Sequence, residues 1–226
     1  MIHYHGTPIT PRSKLLEMGG ANFCVSFADK RDIEVAHQIG ASVMIDNGAF
    51  TMWKKDRVVD WSKYYEFCSI WLSYHTTWAV VPDVIDGGEQ ENDALIAEWP
   101  LGKSQSGVVW HMHESIDRLL RLIDEGWAKV CIGSSGDYAQ VGTKSWHDRM
   151  TIAMNAACPD GVAPVWFHMM RGMALSDSHY PFSSVDSTDI ARNHHEGRSI
   201  RAMQQRWDSV NCTPYWSAMM EQEQLL

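Results

Sequence analysis

Eight short apolar runs punctuate the chain at wide intervals. They are IHYHG (residues 2–6), NFCVSF (22–27), SVMIDNG (42–48), WAVVPD (78–83), GVVWHM (107–112), KVCIGSS (129–135), PVWFHMM (164–170) and FSSVDS (182–187). Most are too short and too rich in β-branched and aromatic residues to be helices. They are also apolar almost without a break, which suits strands of a parallel sheet covered by helices. The stretches between them carry the helical period instead. DKRDIEVAHQIG sets Ile33, Val35 and Ala36 on one side and ends on Gly40, a candidate C-terminal cap. WSKYYEFCSIWLSY follows Asp60, a candidate N-cap. ESIDRLLRLIDEG spaces Ile116, Leu119, Leu120 and Ile123 along one face and ends on Gly126. WHDRMTIAMNAAC offers Met150, Ile152, Ala153 and Ala156.

Strand and helix alternating eight times without a linker predict an α/β fold. The expected form is a (β/α)8 TIM-type barrel spanning residues 1–226 as a single domain, an open doubly wound sheet being the alternative. From about residue 196 onward a helix (GRSIRAMQQRW) and a tail bearing Trp and Met are expected to pack on the barrel.

Composition narrows the class. With 45% hydrophobic residues, the 226-residue chain can bury a full core. A net charge of −9 argues against a general nucleic-acid coat protein but leaves room for a local basic groove. The five cysteines, Cys24, Cys68, Cys131, Cys158 and Cys212, form no CxC or CxxC pair. An odd count without a recognisable leader leads us to expect a reducing, cytoplasmic setting, the host cytoplasm if the gene is a phage's. No apolar run approaches the roughly 20 residues that span a bilayer, so no membrane partner is expected.

In a barrel, chemistry gathers at the C-terminal ends of the strands. Those ends carry Asp46 (IDNGAF), Asp83 (VVPD), Trp110, His111 and His113 (WHMH), the Gly133–Gly136 turn (IGSSG), His168, Met169, Met170 and Arg171 (HMMRG), and Asp186 (VDS). A lone Asp in such a place is as often an N-cap; three are expected to converge on one cavity. Two carboxylates facing one substrate suit glycosidic-bond chemistry, one attacking the anomeric carbon and one protonating the leaving group. Asp186 sits among Ser183, Ser184, Ser187 and Thr188, where a structural strand would place Val or Ile. Hydroxyl donors from Ser184, Ser187 and Thr188 are expected to keep it ionised. Asp83 is placed to accept from an amidine-like edge. Gly133, Ser134, Ser135 and Gly136 offer backbone N–H groups to a carbonyl, and Phe50 or Met169 offers a surface on which a flat base stacks.

Taken together, these residues resemble the tRNA-guanine transglycosylase family. The likeness is greatest to its small phage-type relatives that place 7-deazaguanine bases in DNA, and it covers roughly residues 40 to 195. IDNGAF is similar to the family's D-S-G-G-F segment, whose Asp is the general acid/base, here Asp46. VVPD resembles V-F-D, whose Asp reads the base, here Asp83. Gly107-Val108-Val109 resembles G-I-V, and Ile132 to Gly136 resembles I-G-G-L. Val185-Asp186-Ser187 through Arg192-Asn193 resembles F-D-C-V-x-P-T-R-N, which implies Asp186 as nucleophile and Arg192 on the nucleic-acid side. Trp110 stands where the family has a base-contacting Gln. The family's zinc module is missing: after Asp186 only His194, His195 and Cys212 remain, which is not a zinc spacing. No cofactor is therefore expected, zinc on those residues being the alternative. Loss of that module favours DNA as partner over tRNA, with a 7-deazaguanine base as the small substrate.

The basic residues fall into two groups, Lys54, Lys55 and Arg57 after the Asp46 loop and Arg192, Arg198, Arg201 and Arg206 after Asp186. Both are expected on the catalytic rim, where phosphates must pass. The main rival is a metal-dependent, amidohydrolase-like barrel hydrolase, with His3 and His5 as an HxH pair on one side of the first strand. A barrel that binds a purine without turning it over is a second rival.

Overall fold

A computed structural model describes residues 1–57, 59–194 and 197–217; His195 and the end of the expected tail lie outside the described residues. The eight apolar runs form eight strands: β1 (Ile2–Gly6), β2 (Asn22–Ser26), β3 (Ser42–Asp46), β4 (Thr77–Val80), β5 (Ser106–His111), β6 (Lys129–Gly133), β7 (Trp166–Met169) and β8 (Ser184–Ser187). All pair in parallel, each with its neighbour in sequence, and β8 closes on β1 through Ile2↔Ser184 to His5↔Ser187. This is the expected (β/α)8 TIM-type barrel. Its helices are α1 (Arg12–Leu16), α2 (Ile33–Ile39), α3 (Ala49–Lys54), α4 (Trp61–Trp71), α5 (Glu89–Glu98), α6 (Ile116–Asp124), α7 (Lys144–Ala157), α8 (Asp189–Asn193) and α9 (Ile200–Asp208). Among the described residues, no helix is long and apolar enough to cross a membrane. The five cysteine thiols are unpaired and buried.

The sequence period set most of these helices, with informative exceptions. Gly126 ends α6 at φ 76°, as a C-terminal glycine should, whereas Gly40 is extended. Gly40 is needed for a different reason: a Cβ there would stand 2.5 Å from the Ala36 carbonyl oxygen. Asp60 precedes α4 but caps no backbone N–H of it, and Ile152 of α7 faces solvent. Helix α5 has no apolar stripe, its one buried residue being Asn92. It is held by polar contacts: Asn92 Oδ1 accepts from Val84 N at 2.8 Å and Nδ2 donates to Glu114 at 2.9 Å.

Alternation along each strand divides two cores. Outward residues such as Phe23, Val43, Ile45, Val108, Trp110, Phe167, Met169 and Val185 join the helices in the larger core. Inward ones, Tyr4, Cys24, Met44, Trp78, Val80, Val109 and Cys131, fill the barrel itself. The floor is packed shut. The Lys129 ammonium lies between the Trp78 and Trp166 rings, 5.1 and 5.0 Å from their centroids, and Trp78 Nε1 donates to Tyr4 Oη at 2.9 Å.

Candidate active site

Above this floor, at the C-terminal ends of the strands, opens a cavity of about 650 Å³. The three aspartates singled out from the sequence all line it: Asp46 from the end of β3, Asp83 beyond β4 and Asp186 from β8. Gly133, Ser134, Phe50, Lys54, Lys55 and Arg192 line it as well. The segment Gly6-Thr7-Pro8 after β1 supplies part of the wall. Gly6 permits the close approach of β1 to the β8 turn, since a Cβ there would meet Thr188 Cγ2 at 2.8 Å.

Each carboxylate is held differently. Asp46 Oδ2 accepts from Gly48 N at 3.1 Å, and its side chain also bonds Ser26. Burial, reinforced by the charges of Asp186 and Asp83, pushes the Asp46 carboxyl up to about 6 against the two hydrogen bonds. That value lies close to neutrality, where a group both gives and takes protons readily. Asp83 Oδ1 accepts from Asn47 Nδ2 at 2.6 Å, while Asp83 Oδ2 lies 2.9 Å from His111 Nε2. Asn47 uses its whole amide for this, also donating to the Val81 carbonyl at 2.9 Å and accepting from Ala49 N at 2.9 Å. Asp186 Oδ1 accepts from the Arg171 backbone N–H at 2.7 Å and stands 3.3 Å from His168 Nε2. Two of the expected hydroxyls are engaged elsewhere. Ser184 Oγ lies 2.8 Å from His168 Nδ1, and Ser187 Oγ accepts from Asp189 N.

Several sequence expectations need correction, those on the strands for one reason. A strand's side chains alternate, so a residue one place off faces the helices instead of the barrel. Trp110 is fully buried in the outer core, its Nε1 donating to the Ser115 carbonyl at 2.9 Å; its successor His111 faces the cavity. Met169 is buried in the outer core and Met170 lines the cavity in its place. Ser135 and Gly136 are turned toward His113, with Ser135 Oγ 2.7 Å from His113 Nδ1, and neither lines the cavity. Arg198 lies outside the lining, just before α9. His3 and His5 do share one side of β1, but it is the outer side: His5 Nε2 meets Asp208 of α9 at 3.1 Å and His3 Nε2 meets Ser176 at 3.1 Å. An HxH metal centre inside the barrel is therefore not formed by them. The Asp46 loop leads directly into a helix, since α3 starts at Ala49 and carries Phe50 and Lys54 to the mouth.

His111, Met170 and Arg171, read at the strand ends but given no role in the site, also line the cavity. The β5 end that carries His111 is clamped from behind. Glu114 Oε2 accepts from His111 N at 2.8 Å and from the buried Arg118 Nη1 at 2.6 Å. Arg149 donates to the Met112 and Glu114 carbonyls. Arg171 adopts φ 55°, and its guanidinium lies 4.7 Å from the Phe50 ring centroid, with Lys54 Nζ 4.9 Å from the same ring. Among the described residues, the mouth therefore has four cations, Lys54, Lys55, Arg171 and Arg192, around a deep acidic floor. Such an arrangement attracts a polyanion to the rim and a neutral, donor-rich group to the floor. No family model, no curated protein and no solved structure matches this chain, so the reading of the cavity rests on these residues alone.

Proposed function

We propose that the protein is a guanine transglycosylase, exchanging guanine in DNA for a 7-deazaguanine base. The observation that carries this is the meeting of Asp46, Asp83 and Asp186 in one cavity, with Asp46 raised to about 6 beneath a basic rim. Asp186 attacks C1′ of the target nucleotide, and the C1′–N9 electron pair leaves with guanine as Asp46 delivers its proton. Asp46, now a carboxylate, takes the N9 proton of the incoming base, whose nitrogen displaces Asp186 from C1′. One glycosidic bond replaces another, so atoms and charge balance without ATP or a redox partner. Asp83, braced by Asn47 and facing His111, accepts from the N1–H and amino edge of the base. The target base leaves its stack to reach the floor while Lys54, Lys55 and Arg192 take the flanking phosphates. The preference for DNA over tRNA comes from the sequence resemblance.

The test is a base-exchange assay with labelled guanine, offering DNA and tRNA separately to the wild type and to Asp186→Asn. Label entering DNA and lost in the variant is the expected result. Label entering tRNA keeps the chemistry and changes the polymer. No exchange on either polymer, with guanine or 7-deazaguanine bases, refutes the proposal.

A further inference from the structure

His168 is wholly buried inside the barrel, on the strand beside Asp186, and the reaction above leaves it without a task. Its ring is set edge-on against Tyr4 and Trp78, with centroids 6.0 and 5.2 Å away. Its two nitrogens face different groups. Nδ1 lies 2.8 Å from Ser184 Oγ, and Nε2 has no hydrogen-bond partner among the described residues, Asp186 Oδ1 lying 3.3 Å from it. Ser184 Oγ in turn accepts from Trp166 Nε1 at 2.7 Å. An indole N–H can only donate. Ser184 is buried, and among the described residues His168 Nδ1 is the one acceptor within its reach. Its hydroxyl proton therefore goes to Nδ1, which leaves the ring proton on Nε2. The donors run one way, from Trp166 through Ser184 and His168 toward Asp186.

We propose that His168 is a positioning residue for the nucleophile, an inference that rests on the assignment of Asp186 above. The Arg171 backbone N–H donates to Asp186 Oδ1 and His168 Nε2 faces the same oxygen at 3.3 Å, while among the described residues no donor reaches Oδ2. Oδ2 is then the oxygen that bonds C1′ as the C1′–N9 bond breaks. Oδ1 becomes the carbonyl oxygen of the glycosyl ester and keeps both donors, so the carboxylate does not turn between the two halves of the exchange. At 3.3 Å the Nε2–H is not yet aligned for a hydrogen bond to Oδ1, and such contacts are often long or poorly aligned before substrate tightens them. This also gives the polar strand β8 its purpose: Ser184 fixes the tautomer of the group that holds Asp186.

The test combines ¹⁵N spectra of the imidazoles in the full-length protein with steady-state base exchange. His168→Gln identifies the His168 signals by difference. The expected spectrum has Nε2 protonated and Nδ1 bare. His168→Phe, with an unchanged melting profile, is expected to lose on the order of 100-fold in kcat with KM little changed, the scale that a misplaced reacting group costs. His168→Gln, which keeps a donor, should recover part of that loss. Should His168→Phe fail to fold, Ser184→Ala decides: a mixture of tautomers and a loss of about 10-fold in kcat are expected, as when a partner that fixes an imidazole is removed. A proton on Nδ1 in the wild type, or full kcat in the folded variants while Asp186→Asn is inactive, overturns the proposal and leaves Asp186 as nucleophile. A wild type that exchanges no base on either polymer overturns both.

Discussion

Replacing Asp46 with asparagine tests whether the cavity imposes a cost on its own acid. The Asp46 carboxyl moves from 3.8 to about 6, chiefly through burial and then through the nearby Asp186 and Asp83. One pKa unit separates the two protonation states by about 1.4 kcal/mol. Ionised Asp46 therefore destabilises the fold by on the order of 3 kcal/mol. The sign follows from the folded value lying above the unfolded one. Between them the native state still holds a proton that the unfolded chain has released. Stability from this group is greatest below about pH 4, falls as pH rises to about 6 and is level above that. Asparagine has no such transition, and relief of repulsion on Asp186 and Asp83 acts in the same direction. Urea denaturation of both proteins at pH 4 and pH 8, followed by circular dichroism, separates the effect from any constant packing change. Asp46→Asn is expected to gain on the order of 2–3 kcal/mol on the wild type between the two pH values. That corresponds to a relative rise in Tm of roughly 4–12 °C for a chain of this size. The same variant should exchange no base. An equal difference at both pH values, or a relative loss at pH 8, would refute the account of Asp46.

Other perturbations probe the supports of the site. Glu114→Gln removes the carboxylate beside the fully buried Arg118 guanidinium and should cost about 3–5 kcal/mol in urea denaturation. Gly133→Ala places a Cβ 3.0 Å from His111 Nδ1; it should weaken guanine binding by calorimetry roughly 10-fold while leaving the fold intact. Lys55→Ala and Arg192→Ala should each lower the salt slope of DNA binding, read by fluorescence anisotropy, by about one. Unchanged slopes would remove those residues from the phosphate path.

The strands were legible because a parallel barrel covered by helices demands apolar residues on both faces, and few other structures write runs such as SVMID or KVCIG. The three aspartates were legible because a carboxylate ending such a run has no packing role to explain it. Which of two neighbours faces inward was not legible at Trp110–His111 or Met169–Met170. Both members of each pair suit either face, and a shift of one residue exchanges the faces. Helix α5 left no signal in the apolar pattern because Asn92 and Asp93 anchor it through hydrogen bonds and ion pairs. The part of Ser184 was hidden as well. A serine in a strand reads as a neighbour of the acid two residues on, whereas its hydroxyl serves a histidine on the next strand.

The floor of Lys129, Trp78, Trp166 and Tyr4 makes the cavity a cul-de-sac. Whatever enters through the cationic mouth has to back out by the same doorway, and a spent base would sit in the path of its replacement. Two bases cannot pass through in convoy. For the base exchange proposed above, this architecture permits only a strict alternation, first base out and second base in. In the proposed exchange the sugar is held on Asp186 between the two, and initial-rate plots against the two substrates should be parallel lines.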